Sequence, residues 1–421
     1  MPERPQGGPN LTRRRLLAAG GGAAGLALAG GAYALGARQD EGDNAHAAVP
    51  FYGAQQAGIA TPPQDQLIFA SFDLTLANAG ELRDLLRTWS AAAALMTAGR
   101  SAGSPGGDLD APPTDTGEAV GLGPARLTVT FGLGPTVFRV GGEDRFGLAG
   151  REPAALAPLG PLPGDQLQPL RSDGDLCVQA CADDPQVAFH AVRDLARMAR
   201  GAAVIRWTQL GFGPAAATGR DQVTPRNLQG FKDGTNNLDA GDAAAMGQYV
   251  WVGDEDPQAW FHGGTYVVTR RIRMLIETWD RSSLGDQQDT IGRFKESGAP
   301  LTGRHEHDRP NLRARTPGGE PVIPADAHIR LAAPSTNSGI RILRRGYSYT
   351  DGIDPATGGL NAGLFFICFQ RDPHSQFVPL QRRLGSQDAL NEYIAHTSSA
   401  LFAMPPGAPR GGFVGAGLFQ G

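Results

Sequence analysis

The sequence predicts an α+β protein built from two similar halves, each a sheet with helices on one face. Two observations carry that expectation. Residues 175–181 (DLCVQAC) read as a strand, followed by Asp183-Asp184-Pro185 and a helical run to about Arg200. Residues 363–369 (GLFFICF) read as a second such strand, followed by Asp372-Pro373 and an apolar helical run through Phe377, Leu380 and Leu384. The order strand, Asp-Pro, helix therefore occurs twice, and at Asp183-Asp184-Pro185 the acid before Pro is a helix-start signal. A chain of 421 residues is long enough for two ordinary domains or one large duplicated one.

At the N-terminus, Thr12-Arg13-Arg14-Arg15-Leu16-Leu17 opens an Ala/Gly/Leu run reaching about Leu35, with no charge until Arg38. Ala45-His46-Ala47 then supplies small residues for cleavage before Ala48. Paired arginines ahead of a glycine-diluted apolar segment match a twin-arginine export signal, so residues 1–47 are set outside the fold. That route carries proteins already folded, often around an inserted cofactor. It implies a final place in the periplasm, the cell envelope or the medium, with no stable membrane insertion after the signal is removed. The competing reading is an uncleaved anchor, which the many glycines disfavour.

Residues 66–76 (QLIFASFDLTL) read as a strand, and Leu82, Leu85, Leu86 and Trp89 at helical spacing mark the helix after it. Residues 98–118 are rich in Gly, Ser, Pro, Asp and Thr and read as a solvated loop. Residues 127–132 (LTVTFG) alternate as a strand does, and residues 150–172 are Pro/Leu-rich and irregular. In the second half, residues 264–276 (GTYVVTRRIRMLI) are a strand running towards a helix, as residues 66 onward are. The expected division is 48–240 for the N-terminal half and 241–421 for the C-terminal half.

A net charge of -4, from 38 basic and 42 acidic residues, gives no nucleic-acid or membrane surface. Cys177, Cys181 and Cys368 are an odd, sparse set inside apolar runs and read as buried free thiols. His190 sits on the helix after residue 185 and reads as structural.

The residues with chemical potential lie in two stretches. Residues 328–349 (HIRLAAPSTNSGIRILRRGYSY) read as strand, turn, strand, with a potential metal ligand, His328, at one end and the cations Arg344 and Arg345 further along. Residues 230–237 (GFKDGTNN) place Asp233 between two glycines that allow close backbone approach to a flat ligand. Successive strand residues point to opposite faces, so only one of the two arginines faces such a ligand. His305 and His307 lie in a polar stretch and read as a solvated loop.

Together with VPFYGAQQAGI, GDLCVQACADDPQVAFHAVRDLAR, IGRFKESGAPL and FQRDPHSQFVPLQRRL, these segments make the chain resemble the dye-decolourising peroxidases over nearly all of the mature sequence. It is most similar to the exported branch that includes the deferrochelatase/peroxidase of bacterial iron uptake. The resemblance implies duplicated ferredoxin-like halves of the dimeric α+β barrel type, with one haem b in the C-terminal half. It implies His328 as the iron ligand, Asp233 as the acid-base group and Arg344 as the distal cation. Gly234, Thr235 and Asn236, with Ala333, Pro334 and Ser335, would line the haem. Gln55 stands where this branch often has His, and Ala333 where Asn is expected.

A haem-ligating imidazole needs an acceptor on its other nitrogen. Glu392 is the first choice for that acceptor and Asp388 the second, both on QDALNEYIAH, which reads as helical. Arg293 is the candidate for a haem propionate, against a plain surface arginine. The implied substrates are hydrogen peroxide and an organic electron donor such as a dye or phenolic. Trp251, Trp260, Trp279, Tyr347 and Tyr349 are candidates for electron transfer, each competing with a plain core role. The alternative function is a haem-handling protein that releases iron, with partners from an iron-uptake system.

Overall fold

The computed structural model describes residues 47–219 and 222–420. Residues 1–46 of the expected export signal, His46 among them, lie outside the described residues.

The strands are β1 (Gln66–Leu74), β2 (Thr128–Leu133), β3 (Arg139–Val140), β4 (Glu143–Asp144), β5 (Leu176–Ala182), β6 (Ala203–Pro214), β7 (Thr265–Met274), β8 (Leu343–Arg344), β9 (Tyr347–Ile353), β10 (Leu360–Gln370) and β11 (Ile394–Met404). Apart from the β3–β4 hairpin they form one sheet, in the order β7-β11-β2-β5-β1-β6-β9-β10-β8. A further pairing between β7 and β10 closes it on itself. Two four-stranded arcs make up this closed sheet, β2-β5-β1-β6 and β9-β10-β7-β11. In each arc the first strand in sequence lies between the third and fourth, and the second lies beyond the third. That shared order is the duplicated ferredoxin-like topology. The arcs meet at two short seams, Leu133↔Ala403 on one side and Phe212↔Ser348 with Pro214↔Tyr347 on the other.

Side-chain alternation explains why both faces of the sheet are buried. On β1, Leu67 and Phe69 point into the barrel, whereas Ile68, Ala70 and Phe72 point outward beneath the helices. Phe69 stacks on Trp207 at 5.5 Å between ring centroids and meets Phe365 at 5.4 Å and Phe402 at 6.1 Å, so the inner core draws on both halves. Tyr347 and Tyr349 are buried in this inner core, and all three cysteines are buried and free.

Outside the N-terminal arc lie helices α1 (Ala79–Met96) and α2 (Pro185–Met198). The α1 start is a variant of the capping box, in which the N-cap Asn78 accepts from the Glu81 N–H and Glu81 accepts from the N–H of Ala77, one residue before the cap. Asp184 caps α2 through the Gln186 and Val187 N–H groups, with Pro185 as the first helical residue. Trp89 Nε1 donates to the Leu195 carbonyl at 2.9 Å and ties the two helices together. Residues 98–118 are a mainly exposed loop, as expected, although Asp115 within it is fully buried.

The C-terminal half departs from the first where α1 would have its counterpart. There the chain makes a long excursion carrying α4 (Ile276–Trp279), α5 (Leu284–Ile291) and α6 (His328–Ala332), after a short α3 (Ala243–Tyr249) that precedes β7. The last helix, α7 (Phe377–Gln387), follows β10 as the repeat predicts.

Three expectations need correction. His328 opens a helix rather than a strand. The polar break after it supplies side chains that bind the helix's terminal carbonyls: Asn337 Nδ2 donates to Leu331 and Ala333, and Thr336 Oγ1 to Arg330. The strand expected at 340–343 shrinks to β8. The stretch QDALNEYIAH is one 3₁₀ turn, Ala389–Glu392, that gives way to β11 at Ile394. Among the described residues no helix is long and apolar enough to cross a membrane.

Candidate active site

A small apolar cluster assembles the site. Phe231 of the GFKDG loop, Trp279 of α4, Ile291 of α5, Leu390 and Tyr393 pack together, with Ile329 of α6 against them. Trp279 stands edge-on to Phe231 at 5.9 Å and to Tyr393 at 4.9 Å, and its Nε1 donates to the Gln229 carbonyl. Trp279 thus has a packing role. The loop bearing Asp233, the helix bearing His328 and the turn after α7 are fixed to one another through this cluster.

His328 Nδ1 lies 2.6 Å from Asp388 Oδ2. Asp388 is buried and its other oxygen caps the 3₁₀ turn by accepting from the Leu390 N–H at 2.9 Å. The carboxylate is therefore held from two sides, and it fixes the ring and leaves Nε2 free as a ligand. Among the described residues Nε2 makes no hydrogen bond. Burial works against the imidazolium, but the Asp388 charge and hydrogen bond outweigh it and Asp233 adds to them, so the His328 pKa is raised. Glu392, expected as the acceptor, is exposed at the far end of the same turn. The acceptor is Asp388, because turn rather than helical geometry turns the capping residue inward.

Asp233 and Arg344 form an ion pair through Oδ1 and Nη2. Asn227 Nδ2 donates to the second Asp233 oxygen at 3.1 Å. Asn237 clamps the Arg344 backbone, accepting from its N–H and donating to its carbonyl, both at 2.8 Å. Both side chains of the pair lie close enough to His328 for their charges to act on it, in opposite directions. Arg345 points the other way: it is fully buried and donates to the Thr61 carbonyl and Gln64 Oε1. The alternation expected along residues 344–345 thus puts Arg344 beside Asp233 and Arg345 in the core. Gly234, at φ +90°, lets this loop pass so close to Ala216 that a Cβ would sit 2.8 Å from the Ala216 Cα.

Glu306, between the two exposed histidines 305 and 307, binds Lys232 and accepts from Thr235 Oγ1 at 3.1 Å. Burial raises its pKa, but the Lys232, Thr224 and Thr235 hydrogen bonds prevail and hold it below the usual carboxylate range. Arg293 is buried rather than on the surface, and its Nη1 donates to the Gly298 and Glu306 carbonyls at 2.7 and 2.9 Å. Asn236 and Ser335 are exposed, whereas Ala333 and Pro334 are half-buried just past α6.

Sequence reasoning missed Asn227, Asn237 and Glu306. Asn237 had a signal, standing inside GFKDGTNN. Glu306 was masked by its polar surroundings, and nothing local marks Asn227.

The N-terminal domain of the Dyp-type peroxidase family matches residues 56–213, and its C-terminal domain matches residues 224–409. The chain is 37% identical to a deferrochelatase of Escherichia coli O6:K15:H31 over 99% of each chain. It is 40% identical to a deferrochelatase of Yersinia pseudotuberculosis over 85% of this chain and 81% of that one. Its structure is similar to that of a DyP-type peroxidase from Streptomyces coelicolor, at 42% identity and a TM-score of 0.82, covering 90% of this chain and 99% of that one. It is similar also to ferric DtpA from Streptomyces lividans, at 42% identity, a TM-score of 0.81 and the same coverage. Both family domains are matched in order along one chain, and the chain belongs to the Dyp-type peroxidases.

Proposed function

We propose that this peroxidase holds haem b through His328 and uses Asp233 and Arg344 to reduce hydrogen peroxide while oxidising bulky organic donors. The observation that carries the reading is the geometry around His328. Its Nδ1 is fixed by Asp388, its Nε2 is free, and a carboxylate–guanidinium pair lies within electrostatic reach. That donor set fits an iron porphyrin, which His328 would hold through Nε2. Haem iron, when bound, supplies the redox centre at which the peroxide O–O bond is broken.

The chain's own residues supply the rest. Asp388 orients the ring and makes its nitrogen a stronger donor. Asp233, as a carboxylate, accepts the proton from one peroxide oxygen at Oδ and returns it to the departing one. Arg344 stays charged and presents N–H donors to the negative charge that develops there. Asn227 and Asn237 hold that pair in register. Gly234 to Asn236 and Ala333 to Ser335 are read as haem-lining, and Arg293 as a propionate partner, on the motif resemblance alone.

The test is an absorption spectrum with and without one equivalent of hydrogen peroxide, on wild type, His328→Ala and the double variant Asp233→Asn/Arg344→Leu. Wild type should show a Soret band that shifts with peroxide, and His328→Ala should lose or displace it. The double variant should keep the band but consume peroxide about 10²–10⁴-fold more slowly. A normal band in His328→Ala, or full peroxide turnover in the double variant, sinks the assignment.

A second reading rests on the curated relatives, which are named deferrochelatases. Under it, haem incubated with wild type and a reductant would yield chelatable iron and intact porphyrin, and no release would exclude it. We also infer export by the twin-arginine route, supported by the paired arginines and the apolar run of residues 12–35. Retention in the cytoplasm when the paired arginines become lysines checks this.

A further inference from the structure

We propose that Asp115, His190 and Asp194 form a second metal site, on the N-terminal arc and separate from the haem site, that takes a divalent first-row transition-metal ion. One potential ligand atom from each of the three lies within 4.8 Å of the other two, and all three residues are buried. His190 and Asp194 are a turn apart on α2, where residues four apart share a face. Asp115 comes from the loop between α1 and β2 and is set by that loop's own backbone. Its Oδ1 accepts from the Gly117 N–H at 2.8 Å and its Oδ2 from the Ala102 N–H at 3.1 Å.

The imidazole is arranged as a ligand. Nδ1 lies 3.0 Å from Glu118 Oε2 and 3.2 Å from Thr116 Oγ1, and in the tautomer with its proton on Nδ1 the ring donates to that carboxylate. The Nε2 lone pair is left facing Asp115 Oδ2 at 3.6 Å, too far for a hydrogen bond. A carboxylate behind the ring and oxygen donors before it is the pattern of metal-bound histidines.

Asp194 supplies the independent sign. Its Oδ1 accepts from Arg197 Nε at 3.0 Å, but Oδ2 is buried with no hydrogen-bond partner. A bare carboxylate oxygen in a protein interior costs several kcal/mol of lost hydration, roughly, unless a cation meets it. The surrounding charges leave room for one. Among the described residues the cations paired with Asp115, Glu118 and Asp194 are Arg193 on Glu118 and Arg197 on Asp194, with His190 the one further group that could carry a positive charge. A cavity of about 110 Å³ between Met96, Arg100, Leu122 and Val187 reaches His190.

One imidazole nitrogen with two carboxylates suits Zn²⁺ or Mn²⁺ better than Ca²⁺ or Mg²⁺, which favour all-oxygen shells. Bound there, the ion would clip the loop of Asp115 to α2 and brace the outer layer of the N-terminal arc.

The test uses haem-loaded protein, stripped with a chelator and dialysed against Zn²⁺ or Mn²⁺, with metal counted per chain. We expect one equivalent beyond haem iron, a raised melting temperature, and an anomalous scattering peak between α2 and Asp115. Asp194→Asn should lose that equivalent, and Glu118→Gln should weaken it about 10–100-fold. His305→Ala/His307→Ala, which removes the exposed pair, should leave it unchanged. If Asp194→Asn fails to fold, the anomalous peak in wild type decides alone. No binding at millimolar Zn²⁺ and Mn²⁺, or loss of the equivalent in the His305/His307 variant instead, overturns the proposal. Nitrogen-15 shifts showing both His190 nitrogens protonated with Zn²⁺ present would do the same, since the ring would then itself be the missing cation.

Discussion

Asp388 and Glu392 sit on the same short turn, and only their side-chain directions separate them. Asp388, as the capping residue, spends one oxygen on the Leu390 N–H and the other on His328, while Glu392 points to solvent. Asp388→Asn should therefore weaken haem retention or peroxide turnover by about 10–100-fold, the usual cost of removing the partner behind a metal-bound histidine. Glu392→Gln should match wild type in both assays. Equal effects of the two changes, read by haem transfer to an acceptor protein, would refute this assignment. Both acids were visible in the sequence. Choosing between them needed the backbone, because a helical reading of QDALNEYIAH gives no reason for residue 388 to turn inward. The Asp233–Arg344 pair was legible by motif, whereas the two asparagines that hold it were not.

At the scale of elements, the long strands and amphipathic helices were readable because each spans several periods of its pattern. The five residues of α6 do not, and Ile329 and Leu331 alternate as well in one helical turn as in a strand. The excursion that carries the site was unreadable for a related reason, since it is built of turns fixed by distant side chains. The loop around Asp233 shows how tightly such turns are determined. Gly234→Ala meets both an unfavourable φ and the Ala216 backbone, so it should destabilise the fold by about 1–3 kcal/mol. It should also displace Asp233 from Arg344. Thermal unfolding and peroxide turnover would both fall, and a variant as stable and active as wild type would show that the loop has room to yield.

For the molecule as a whole, the duplication was legible from the repeated strand, Asp-Pro, helix order, whereas the closure into one barrel came from the family resemblance alone. Closure depends on which strand edges meet, and local periodicity carries no such information. One product of closure is a buried neutral histidine. His396 on β11 accepts from Gln381 Nε2 at 3.2 Å and has no partner at Nδ1. Burial, with the charge of Arg270 adding to it, pushes its pKa down to about 3, and Arg270 is itself paired with Asp165. An unfolded histidine titrates near 6.5, roughly. From there down to about 3 the unfolded chain binds a proton that the folded chain does not. Stability is therefore complete above this window and falls as the pH drops through it, by up to about 1.4 kcal/mol per unit. Urea unfolding between pH 7 and pH 4 should show a shallower loss in His396→Gln than in wild type, and parallel profiles would contradict the argument.

The two seams carry a further consequence. Within an arc, strands are laced along their length, as β1 is to β5 from Gln66↔Ala182 to Phe72↔Leu176. Across the seams the strand pairs described are few, Leu133↔Ala403, Phe212↔Ser348 and Pro214↔Tyr347. The rest of the adhesion comes from residues 165–173 lying along β11, from polar links such as Arg270 to Asp165 and Arg345 to Thr61, and from interior side chains such as Phe69 and Phe365. Each arc is thus a finished sheet that treats the other as a docked neighbour. A neighbour supplied by a second copy of the chain presents the same surface, so two molecules can trade halves and rebuild every seam pair between them. Reciprocal exchange of this kind is a low-cost route to a dimer, and in this barrel it would leave Asp233, His328, Arg344 and Asp388 together on one chain.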